Sequence, residues 1–284
     1  MAEPAGADRG GPGSVAEQRA AWTGQATAWD RWADRLERMA ERFNQPLVEA
    51  AGAKPGDRVL DLASGIGEPG LTLHKAIQPG GRLVLSDLVP EMLRGAVRRF
   101  RDRGLDAGFA VQDAQRLAFA DCSFDLVTCR FGIMFFPEPR LALAEAFRVL
   151  VPGGRAAFMV WGTLADNPMF QVTRGAVEAV LGPDLRQRDP FRHAEPGALK
   201  ADFLAAGFED HAETDLTFER HAKAGEPFWR APLDMTSGGR IAALDPAAKA
   251  ALEAEVVRRL GPFREGDAYR LSSRIRLLTA QKPS

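Results

Sequence analysis

Between residues 18 and 51 the large apolar residues fall at Trp22, Trp29, Trp32, Leu36, Met39, Phe43 and Leu47, with intervals of three, four and seven. That is the stripe of an amphipathic helical region, which Gly52 and the K-P-G-D of residues 54–57 bring to an end. The period then changes. V-L-D-L at 59–62, R-L-V-L-S-D at 82–87, F-D-L-V-T-C at 124–129 and A-A-F-M-V-W at 156–161 are short β-type runs, with a weaker one at 107–111. Helical segments separate them at 71–78, 90–100 and 140–150. Strand and helix alternate throughout, the pattern of a parallel sheet covered on both faces by helices.

Beyond Trp161 the rhythm loosens into turn signals around one helical patch at 170–180. A helix at 197–206, a strand near 212–219, a charged helix at 246–260 and a last strand at 269–280 follow. In that last strand Tyr269, Leu271, Ile275 and Leu277 share one face, and Arg270, Arg274 and Arg276 share the other.

Composition narrows the class. The 284 residues are 45% hydrophobic and 26% charged, with a formal net charge of -1. This describes an ordinary globular protein and gives no electrostatic reason to expect a nucleic-acid partner. Residues 1–17 are Gly, Pro and Ala rich, without the apolar centre of a signal peptide, and read as a flexible tail. No run is long enough for a membrane span, so a cytoplasmic protein is expected. The cysteines, Cys122 and Cys129, form no ligand-type spacing, and no metal site is expected.

The chemistry concentrates in residues 59–70, V-L-D-L-A-S-G-I-G-E-P-G, a strand running into a glycine turn and a helix start. Such a junction presents backbone N–H groups at the carboxyl edge of a sheet. Gly65, Gly67 and Gly70 spell G-x-G-x-x-G, and Asp87 follows about twenty residues on, so the dinucleotide fingerprint is formally satisfied. An NAD-dependent oxidoreductase is therefore one reading. However, Asp61 precedes the loop and Glu68 lies inside it, two carboxylates where a pyrophosphate would have to sit. Such a loop suits a ligand with a cationic end, as in S-adenosylmethionine.

At these residues the chain resembles the class I S-adenosylmethionine-dependent methyltransferases, particularly the ubiquinone and menaquinone C-methyltransferase group. L-D-L-A-S-G-I-G-E-P is similar to that family's first motif, and Asp87 stands at the acidic end of strand two. D-A-Q at 113–115, R-V-L-V-P-G-G-R at 148–155 and L-A-A-G-F at 204–208 match later family segments in the right order. The resemblance implies a Rossmann-like seven-stranded α/β sheet with helices on both faces and an antiparallel last strand. It implies one methyltransferase domain over 18–284, with an N-terminal helical cap at 18–51. A substrate-side insertion would occupy 162–200 and a helical insertion 225–266.

It also implies the site. The cofactor would be held by Asp61, Ala63, Ser64, Gly65 and Gly67, by Asp87 on the ribose hydroxyls, and by Leu88, Met92, Asp113 and Ala114 around the adenine. Arg130 would be a neighbour. The acceptor would lie against Trp29, Phe131, Met134, Phe135 and Trp161, an apolar set that suits a quinone, phenol, polyketide or similar metabolite. Trp22, Trp29 and Trp32 either pack as core or close over the cofactor. Methyl transfer is an in-line displacement that needs a base only if the acceptor must lose a proton, and His193 is the base candidate. A homodimer stays open, as does a non-methylating protein that retains the cofactor fold.

Overall fold

A computed structural model describes residues 13–183 and 189–284, with the side chain of Leu36 also outside the description. Most of the expected tail and a short piece of the 162–200 insertion thus lie beyond the described residues. The N-terminal stripe forms one continuous helix, α1 (Val15–Ala50), started by a capping box in which Ser14 and Glu17 each accept from the other's backbone N–H.

The chain then builds a sheet from β1 (Arg58–Leu62), β2 (Arg82–Asp87), β3 (Gly108–Val111), β4 (Phe124–Arg130), β5 (Leu150–Trp161), β6 (Glu209–Lys223), a two-residue β7 (Arg264–Glu265) and β8 (Ala268–Gln281). The strand order is β3-β2-β1-β4-β5-β8-β6, with β7 paired only to β8. Strands β1 to β5 pair in parallel, and β8 inserts antiparallel between β5 and β6. This is the expected Rossmann-like arrangement, with β7 added as a short hairpin. The strand order reverses at β1, which lies between β2 and β4. In open α/β sheets ligands bind at that crevice.

Helices α2 (Gly70–Ala76), α3 (Pro90–Asp102) and α4 (Pro139–Val149) connect the parallel strands. One face of the sheet packs Leu47, Val59, Leu85 and Phe100 with α1 and α3, and the other packs Leu60, Val127, Phe158 and Phe203. α5 (Pro168–Leu181), α7 (Arg230–Ala242) and α8 (Pro246–Leu260) share a further core, where Val172, Trp229, Leu233, Val256 and Leu271 meet. The two segments after β5 and β6, distant in sequence, therefore form one helical layer. α6 (Ala198–Ala205) lies under the sheet edge through Leu199 and Phe203. No helix among the described residues is long and apolar enough to cross a membrane.

One expectation for the late strands changes, and the arginine face of the last strand is partly covered. β6 runs for 15 residues, longer than expected, because it pairs along nearly the whole of β8. Arg276 does not face solvent: it is 3% exposed, held by Asp215 at 2.8 Å, Glu213 at 3.2 Å and the Ala194 carbonyl.

Candidate functional site

The β1 terminus is built on a buried acid. Asp61 is fully buried, in register between Leu85 of β2 and Thr128 of β4. Its Oδ1 accepts from Thr128 Oγ1 at 2.7 Å, while its Oδ2 is buried with no hydrogen-bond partner. Burial pushes its pKa up to about 7, against the Thr128 bond and the Arg130 charge, which favour ionisation.

The chain then turns through left-handed conformations at Ala63 (φ 51°), Gly65 (φ 53°) and Gly67 (φ 98°). A side chain on Gly65 would meet nothing within 4 Å, so its backbone borders open space, whereas one on Gly67 would press on Ala96 and Phe100 of α3. Gly67 thus serves turn and packing, and only Gly65 of this pair lines the cavity above.

Asp87, at the end of β2, closes the loop. Its Oδ2 accepts from the Gly65 N–H at 2.9 Å and its Oδ1 from the Val89 N–H at 2.8 Å. Burial pushes its pKa up to about 6 despite these bonds. Each oxygen keeps a second lone pair for a hydroxyl donor. The N–H that a phosphate-cradling loop would direct at its ligand is instead committed to this carboxylate.

Ala63, Ser64, Gly65, Asp87, Leu88, Met92, Asp113, Ala114 and Arg130 all line one cavity with Phe131 and Phe135. Asp113 is already engaged, its Oδ1 accepting from the Gln115 N–H at 2.9 Å. Asp61, two residues before Ala63, does not line this cavity; its charge acts on Arg130, which does line it and whose Nε is buried without a partner. Glu68 is not a free loop charge. Arg99, 1% exposed, holds its Oε1 at 2.7 Å, and Asn44 of α1 holds its Oε2. Arg99 also donates to the Ile66 carbonyl at 3.0 Å, so α1 and α3 both fasten the glycine turn. Nothing in the sequence motifs singled out Arg99 or Asn44.

A second cavity, about 1190 Å³, lies beyond an aromatic wall. Trp22, Trp29, Phe131 and Phe135 line both cavities. Trp22 meets Trp29 edge-on at 6.1 Å and Phe135 at 5.1 Å. Phe131, itself left-handed at φ 56°, stacks on Trp161 at 4.0 Å. Gly132 lets this loop pass close to the glycine turn, since an added Cβ would lie 2.6 Å from Ala63 Cβ. Trp32 lines only the larger cavity, and its indole donates to Asp234 of α7 at 2.8 Å.

Besides Asp61 and Gly67, two more of the expected residues line neither cavity. Met134 is 1% exposed in the core below the wall and lines neither cavity. His193 is 4% exposed, lines neither cavity, and sits 3.2 Å from Asp202 of α6. The geometry therefore does not bring it to a reacting atom.

The donor set fits S-adenosylmethionine. An orphaned buried carboxylate oxygen lies under the loop, a second carboxylate has acceptor capacity for two hydroxyls, and Leu88, Met92 and Ala114 form an apolar slot. The comparisons agree. Residues 37–173 match the model of the ubiE/COQ5 methyltransferase family. The chain is 43% identical over 189 residues to a demethylmenaquinone methyltransferase of Thermus thermophilus, covering 62% of this chain and 85% of that one. It is 46% identical over 201 residues to a ubiquinone/menaquinone biosynthesis C-methyltransferase of Xanthomonas campestris, covering 69% and 75%. Among solved structures, a phosphoethanolamine N-methyltransferase of Haemonchus contortus in complex with S-adenosyl-L-methionine shares the fold. It has a TM-score of 0.55 and 21% identity, covering 86% of this chain and 53% of that one. The chain belongs to the ubiE/COQ5 methyltransferase family and is an S-adenosylmethionine-dependent methyltransferase.

Proposed function

We propose that the enzyme methylates a flat aromatic small molecule, of the quinol or phenol kind, held in the larger cavity. The observation that carries this reading is the wall of Trp22, Trp29, Phe131 and Phe135, which borders both cavities. When bound, S-adenosylmethionine would supply an electrophilic methyl on sulfonium. An electron pair of the acceptor, ionised by loss of its phenolic proton to solvent, takes the methyl as the S–CH3 pair leaves with sulfur, and attack by ring carbon would also release the ring proton to solvent. The chain's contribution is alignment in a dry space. Asp87 would take the ribose hydroxyls, Leu88, Met92 and Ala114 the adenine faces, and the Asp61 carboxylate would favour the cationic end. The aromatic wall would exclude water and orient the acceptor ring, with the Trp29 Nε1–H, buried and unpartnered, as a donor.

No histidine or tyrosine lines either cavity among the described residues. The reading therefore uses no base of that kind, and suits an acceptor that is nucleophilic as bound. The names of its relatives, which concern menaquinone and ubiquinone synthesis, point to the same class of ring. Incubation with methyl-labelled S-adenosylmethionine and a panel of hydroquinones, phenols, aromatic polyketides and aliphatic amines tests it. Label should enter an aromatic acceptor. Label entering only aliphatic amines would overturn the reading.

A further inference from the structure

The larger cavity is not uniformly apolar. Arg42 of α1 and Arg220 of β6 both line it. Arg42 lies over the Phe218 ring at 5.9 Å and donates to the Glu219 carbonyl at 2.8 Å. Arg220 lies over the Phe228 ring at 4.9 Å, and its other contact is the Met39 sulfur at 3.5 Å. Neither guanidinium has an ion-pair partner among the described residues. Glu219, the adjacent acid, is taken by Arg270 at 2.6 Å, and Glu226 acts on Arg220 only through its field. Burial and the neighbouring Arg42 charge both hold the pKa of Arg220 down.

Two cations whose charges oppose one another, set against rings and a thioether, have no ion-pair contact, and Arg220 feels only the field of Glu226. A planar fork of N–H donors in such a setting matches a carboxylate. Their position relative to the aromatic wall is also fixed. Phe218 meets Phe43 edge-on at 5.0 Å, and Phe43 meets Phe131 at 5.7 Å. Arg42 thus stands two ring contacts away from the wall that both cavities share, and Arg220 lines the same larger cavity.

We infer that Arg42 and Arg220 are the anion-reading end of the acceptor site, so that the acceptor is an aromatic carboxylate whose charged group lies away from the reacting atom. This rests on the aromatic-acceptor reading above and adds the charge. The forked donors hold the carboxylate, and the rings of Phe43, Phe131 and Trp161 hold the apolar body.

The test compares 6-hydroxy-2-naphthoate, whose hydroxyl and carboxylate lie at opposite ends of the ring system, with its methyl ester. Binding of each is measured calorimetrically to the full chain with S-adenosylhomocysteine present. The carboxylate should bind at least about tenfold more tightly, and more weakly as salt rises. Arg220→Gln should abolish that preference while leaving S-adenosylhomocysteine affinity unchanged. Should that variant fail to bind S-adenosylhomocysteine, the exposed Arg42→Gln carries the same comparison. An ester bound as tightly as the acid, or a preference that survives in a variant with intact cofactor affinity, overturns the carboxylate and leaves the aromatic acceptor standing. If neither probe binds, the aromatic acceptor fails and this inference fails with it.

Discussion

The Gly65 N–H donates to Asp87 Oδ2 at 2.9 Å across 22 residues of sequence, so the glycine turn and the acid at the end of β2 are one unit. The other carboxylate oxygen holds the Val89 N–H. Asp87→Asn should therefore do more than remove a charge. Its amide would face one backbone N–H with another N–H, loosening the turn as well as the ribose contact. Affinity for S-adenosylhomocysteine should fall by about 2–3 kcal/mol, roughly 30- to 150-fold, by calorimetry. A loss below about threefold would remove Asp87 from the cofactor contacts.

The pH dependence follows from two buried acids with pKa values of about 7 for Asp61 and about 6 for Asp87. A cationic ligand end and hydroxyl donors both favour the ionised forms, so binding should release protons. Affinity for S-adenosylhomocysteine should rise between pH 5.5 and pH 8, and Asp61→Asn should flatten the upper part of that rise. Affinity that falls with pH would contradict the assignment.

The same groups bear on stability with the opposite slope. Their folded pKa values lie above the unfolded one, so between the two the folded state binds more protons and stability falls as pH rises. Ligand-free wild-type protein should lose melting temperature relative to Asp61→Asn on going from pH 5 to pH 8. Parallel pH dependences for the two would show that Asp61 does not titrate between pH 5 and pH 8 and would contradict its raised pKa.

Arg99 and Glu68 form a buried pair at 2.7 Å that anchors the glycine turn. Arg99→Met leaves the Glu68 charge without its cation and should cost about 3–5 kcal/mol in urea unfolding. Adding Glu68→Gln should recover part of that loss. A double variant no more stable than the single one would deny the pairing.

Gly132→Ala tests the close approach of the two loops. Its Cβ would fall 2.6 Å from Ala63 Cβ and 2.8 Å from the buried Cys129 sulfur, and neither neighbour is a flexible tip. A loss of about 1–3 kcal/mol is expected, with weakened cofactor binding. Unchanged stability and affinity would show that the loops can separate freely.

Much of this architecture was legible because its causes are local. Alternating strand and helix patterns, and an acid or glycine at the end of each strand, led to β1, β2, β4 and β5 and to the cofactor residues on their edges. What escaped depends on contacts between distant segments. Glu68 reads as a loop charge until Arg99 arrives from α3. Arg276 alternates like a solvent-facing residue, but the 189–197 segment covers that face through the Ala194 carbonyl. Met134 and His193 carry suggestive chemistry, yet the turn of Ile133–Phe135 points one into the core and Asp202 holds the other away from both cavities. The tryptophans of α1 show the reverse. Their helical spacing fits plain core packing, while Trp22 and Trp29 stand half-buried where two cavities meet.

If methyl donor and acceptor meet at that wall, a crystal structure with S-adenosylhomocysteine will show the ribose hydroxyls on Asp87, the ammonium toward Asp61, and the sulfur against Phe131 and Phe135 facing the larger cavity. A ligand whose sulfur points away from that wall, or whose ribose sits elsewhere than Asp87, would contradict that arrangement.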